Sequence, residues 1–290
     1  KPRGREAATP RRIPALGWKH VAIRVKNAVL DDNLSLVAAG VALYSLLAVV
    51  PGLTAFLAVY GLIVSPEQAV GQIRPLTQIM PPGAAAIIQS QLDRLASREG
   101  IARGWGAAVS LLIALWGSRR GISALMIATN IAYGEEEERG FFRQTLLSLA
   151  LTVTGIVGFM VVMATAVVFP IVLEVLGVDE GLQRLGAVLR WLFLWCFVVA
   201  GLAAIYRFGP DRHRARWRWV SWGSAIAALL WVLGSVLFAL YVRRFGQYGE
   251  AYGALGGVVV LLLWFFLSAF VVVLGAEINS EIEHQTGVDS

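Results

Sequence analysis

The chain has 290 residues, of which 57% are hydrophobic and 15% charged, against about 25% charged in an ordinary soluble domain. That balance excludes a soluble globular protein and predicts an all-α polytopic membrane protein. The formal net charge is +6, but the arginines gather at the ends of apolar runs rather than on one basic face, so membrane topology accounts for them and a nucleic-acid partner is not expected.

Residues 1–14 are basic and carry Pro2, Pro10 and Pro14, which predicts a disordered tail. From Ala15 to Leu30 the pattern becomes amphipathic, with Trp18, Val21, Ala22, Val25 and Val29 on one face. Such a helix is expected to lie along the inner membrane surface. Asp31, Asp32 and Asn33 offer N-cap side chains to the first span, residues 34–64. Pro51-Gly52 interrupts that span, and the missing proline donor predicts a kink or two half-helices. The run is too long for a signal-peptide core, so the basic N-terminus is expected to stay attached.

Residues 65–103 hold two short amphipathic patterns, around Val70, Ile73 and Leu76 and around Ile87, Ile88, Leu92 and Leu95, that suit interfacial helices on the outer side. The second span, 104–133, carries Arg119 and Arg120 within its apolar sequence. At 1.5 Å per residue, Arg119 lies about 24 Å along the helix from Arg103. Charge at that depth either snorkels to the far headgroups or faces a polar cavity. Glu135 to Glu138 follow and read as a solvated turn, since consecutive residues point in different directions.

The remaining spans are expected at about 145–173, 185–206, 220–241 and 253–276, with residues 285–290 as a short tail. The loop with Arg207, Arg212, Arg214, Arg216 and Arg218 suits an inner-leaflet anchor. Gly249, Gly253 and Gly257 recur every four residues and form a flat stripe for helix packing. With both termini inside, the inner segments carry 15 Lys and Arg against 8 outside. The excess favours a cytoplasmic location for both ends of a single six-span domain over residues 15–284.

Three stretches, VAAGVALYSLLAVVPGL (37–53), RRGISALMIATNIAYGEEEERGFFRQ (119–144) and YGALGGVVVLLLWFFLSAFVVVLGAEINSEI (252–282), resemble the YihY/BrkB family of bacterial inner-membrane proteins. The resemblance covers roughly Trp18 to His284. It implies a six-helix fold in the cytoplasmic membrane and a role in transport or envelope resistance. Members of this family have been labelled ribonuclease BN. A metal-dependent nuclease would need clustered histidines and carboxylates, whereas His20, His213 and His284 are scattered and Cys196 stands alone. No metal, cofactor or enzymatic activity is therefore expected. A nucleotide-binding loop is also absent, so ATP is not a direct energy source.

The expected function is transport or export of a small zwitterionic or anionic organic solute, passive or coupled to an ion. The candidate binding residues are Tyr44, Pro51 and Gly52 on the first span, Arg119, Arg120 and Asn130 on the second, and Glu277 and Asn279 at the end of the sixth. The alternative is a non-transporting membrane partner in envelope or lipid organisation. Membrane lipids and a second copy of the chain complete the expected partners.

Overall fold

A computed structural model describes residues 13–60, 105–169, 172–173, 177, 179–212, 217–245 and 248–285. Its helices are α1 (Ala15–Asp31), α2 (Leu34–Tyr60), α3 (Trp105–Tyr133), α4 (Phe141–Met163), α5 (Glu180–Phe208), α6 (Trp217–Phe245) and α7 (Tyr248–Gln285). A π-helical turn, Ala164–Val168, continues α4. Six of the helices are long and apolar enough to cross a membrane, and the described residues form no strand. Helices satisfy their own backbone donors and acceptors, which hydrocarbon demands. The chain is thus an all-α, multi-pass membrane protein.

Several expectations need revision. Pro51 lies inside one continuous helix, so of the two alternatives, a kink and two half-helices, the second does not hold. Just beyond it, Thr54 Oγ1 donates to the Val50 carbonyl at 2.9 Å, a back-bond of the kind that tends to bend a helix. Asn33 adopts φ 50° and its Nδ2 donates to the Asp31 carbonyl at 3.3 Å, so its side chain helps close α1. The interfacial patterns expected in 65–103 lie outside the described residues, as do the surroundings of Gly249 and Gly253.

The apolar face of α1 is used differently from the sequence reading. Val21 packs with Ile13 and Ile282, and Trp18, Val25 and Ile278 pack around them. Trp18 also meets Trp222, their ring centroids 6.1 Å apart. Arg24 forms an ion pair with Glu281, donates to Gln285 Oε1 at 2.7 Å and to the Glu281 carbonyl at 2.9 Å. This face of α1 therefore lies on the ends of α6 and α7, not on lipid. Of the expected face, Trp18, Val21 and Val25 pack there while Ala22 is exposed, and amphipathicity does not say which apolar surface a helix face meets.

The chain divides into two compact units. One holds the described parts of 1–35, 126–232 and 271–290; the other holds those of 36–125 and 233–270. In the first, Tyr206 of α5 is fully buried and its hydroxyl donates to the Val272 carbonyl of α7 at 2.8 Å. A Cβ at Gly275 would meet that hydroxyl and come 2.6 Å from Ala227 of α6, so only glycine lets the three helices close here. In the second unit the small residues of α2 and α3 meet. A Cβ on Gly117 would lie 2.9 Å from Pro51, and one on Gly121 would lie 3.4 Å from the Ser45 Cα.

Candidate functional site

The second unit holds five of the nominated residues: Tyr44, Pro51, Gly52, Arg119 and Arg120. Pro51 and Gly52 sit in the tight α2–α3 contact, where a Cβ on Gly52 would be 3.6 Å from Ser118. Tyr44 and Arg120 are exposed. Arg119 behaves differently from its neighbour. It is half-buried, and its guanidinium carbon lies 4.2 Å from the centroid of Trp116, one helical turn earlier. Its Nε is buried with no hydrogen-bond partner among the described residues. A guanidinium held over an aromatic ring keeps N–H groups that can address paired oxygens of a carboxylate, phosphate or similar group.

The first unit holds Asn130, Glu277 and Asn279. Asn130 is a structural clasp: its Nδ2 donates to Glu137 Oε2 at 3.0 Å, and its Oδ1 accepts from the Asp211 backbone N–H at 2.8 Å. Asn279 is fully buried and accepts from the Gly223 backbone N–H at 2.8 Å, joining α7 to α6. Glu277 is 2% exposed, its Oε1 has no hydrogen-bond partner among the described residues, and its carboxyl group lies against that of Asp32. The eight nominated residues thus fall into separate groups in separate units.

Sequence reasoning missed the side chains that organise the first unit. Arg139 places its fork on Glu137, with Nε–Oε1 at 2.5 Å and Nη2–Oε2 at 2.6 Å. The same guanidinium donates to the Phe208 carbonyl at 3.3 Å and the Gly209 carbonyl at 2.8 Å, the open end of α5. Cations suit that end because its carbonyls carry partial negative charge. Burial alone would raise the Glu137 carboxyl, but hydrogen bonds from Arg139 and Asn130 and the Arg139 charge outweigh it and hold the group below the usual carboxylate range. Glu137 is therefore not part of a solvated acidic turn.

Arg212, expected to anchor at the membrane surface, is instead buried. Its Nη1 donates to Glu283 Oε2 at 2.6 Å, and its guanidinium carbon sits 3.9 Å from the Tyr133 ring centroid. One visible signal for these residues was the opposite-charge pair within Glu137-Glu138-Arg139. Their long-range partners leave no local pattern. Among the described residues, no group of three His, Cys, Asp or Glu is placed to hold a metal ion.

A family model described as virulence factor BrkB matches residues 25–290. The chain is 29% identical over 210 residues to the putative ribonuclease-like protein YfkH of Bacillus subtilis, covering 71% of this chain and 74% of that one. It is 28% identical over 298 aligned positions to a UPF0761 membrane protein of Albidiferax ferrireducens, covering 96% of this chain and 67% of the relative. A UPF0761 membrane protein of Tolumonas auensis is 33% identical over 103 residues, which span 36% of this chain and 34% of that protein. No solved structure matches the chain. With six membrane-crossing helices and a match that begins within α1 and runs to the last residue, the chain belongs to the virulence factor BrkB family.

Proposed function

We propose that this protein is a transporter or exporter of a small zwitterionic or anionic organic solute, passive or coupled to an ion gradient. We place it in the bacterial cytoplasmic membrane with both termini inside, on the excess of Lys and Arg in the inner segments. The observation that carries the reading is Arg119: a membrane-embedded guanidinium held on Trp116, with a buried Nε that has no acceptor among the described residues. Ionisable side chains inside spans mark substrate or ion pathways more often than they serve packing. Arg119 is the contact for the anionic group of the solute, and the α2–α3 crossing at Pro51 and Gly117 fixes its helix.

Stopped-flow flux in proteoliposomes tests this with neutral, zwitterionic and anionic solutes. A hydrogen bond to a charged group is worth about 1.5–3 kcal/mol, so Arg119→Ala should slow the preferred solute roughly 10- to 100-fold. Arg120→Ala, altering an exposed side chain, is the comparison. Absence of selective flux from folded, inserted protein would favour a non-transporting envelope partner.

A further inference from the structure

One face of α1 rests on the protein, and the opposite face is open. Leu16, Ile23 and Leu30 are all exposed there. They recur every seven residues and fall within about 40° of one another around the helix. Lys19 and Lys26, also exposed, flank that ridge on one side. No acidic side chain occurs in α1 before Asp31. Trp18, Val21 and Val25, the buried set, project from the other side.

We propose that Leu16, Lys19, Ile23, Lys26 and Leu30 form a binding surface for anionic phospholipids at the membrane boundary. The position of α1 supports this occupant. Only Asp32 and Asn33 separate α1 from α2, whose apolar crossing starts at Leu34, and the packed face of α1 is fixed to Ile278 and Ile282 near the end of the last crossing. The helix is thereby held where headgroups meet acyl chains. A ridge of leucine and isoleucine enters the acyl boundary while lysines beside it reach phosphates with their ammonium groups. A second copy docked through the same face would set Lys19 and Lys26 against their own equivalents, a like-charge contact that a symmetric interface cannot avoid. The surface is independent of solute transport.

The test uses the full chain in nanodiscs of equimolar phosphatidylglycerol and phosphatidylcholine. In a Cys196→Ser background, a donor dye at Ile23→Cys reads energy transfer to headgroup-labelled versions of each lipid. Phosphatidylglycerol should be enriched at the dye, and Lys19→Gln with Lys26→Gln should reduce that enrichment about five-fold per lysine removed. Lys19→Arg with Lys26→Arg should retain it, which separates lost charge from lost structure. Equal transfer from both lipids, enrichment unchanged by the glutamine pair, or a dye shielded from both lipids would overturn the proposal.

Discussion

Arg139 meets the end of α5 and the α3–α4 turn with a single planar group. Removing it leaves the Phe208 and Gly209 carbonyls and the Glu137 carboxylate without their shared donor. Breaking a buried pair by deleting one partner costs about 3–5 kcal/mol, so Arg139→Ala should lower thermal stability in detergent by that order. Lysine should rescue it poorly, because an ammonium cannot reproduce the fork. The depressed Glu137 carboxyl also sets a sign with pH. Its stabilisation is complete above the carboxylate's unfolded value and is lost as acid takes the group through its lower folded value. Glu137→Gln should therefore be less stable than the wild type at neutral pH and lose less on acidification, as a thermal melt series would read. These residues were hard to see in the sequence. Glu137 sits among four glutamates, and the partners of its junction, Asp211 and the end of α5, lie about seventy residues away along the chain.

Among the helices, the spans were legible because hydrocarbon permits few alternatives to a long apolar helix. The packing expected of Gly249, Gly253 and Gly257 falls largely outside the described residues; among these, Gly117 and Gly121, enclosing Ser118-Arg119-Arg120, are set against α2. Spacing alone cannot tell a stripe facing a backbone from one facing lipid. Gly275→Ala should cost about 1–3 kcal/mol by overpacking against Tyr206 and Ala227. Gly40→Ala, where nothing lies within 4 Å, should cost nothing and gives the control of opposite expectation. Melting temperatures of the two variants against wild type decide the matter. Pro51 predicts an interruption, and whether a kink or two half-helices follows depends on its neighbours; here α2 runs on.

Among the described residues the end of α7 packs on α1, and an even number of crossings puts both on the same side of the membrane. The class and the six crossings followed from apolar run lengths, while the site followed only in part. Arg119 and Arg120 are adjacent in sequence, yet one is half-buried on Trp116 and the other exposed. A hundred-degree step between helical neighbours separates their environments, and local sequence cannot say which direction is covered. Asn130 and Asn279 are polar residues near the ends of their spans. Their donors and acceptors serve the protein's own backbone and side chains equally well. The ion pair between Arg24 and Glu281 joins residues 257 positions apart. During translation at about 5–20 residues per second, α1 therefore leaves the ribosome on the order of ten seconds or more before its docking partner exists. Seating of α1 awaits synthesis of the end of α7, and a nascent chain stalled before Ile278 should keep Val21 open to thiol labelling after Val21→Cys in a Cys196→Ser background, protection arising only once that end has been made.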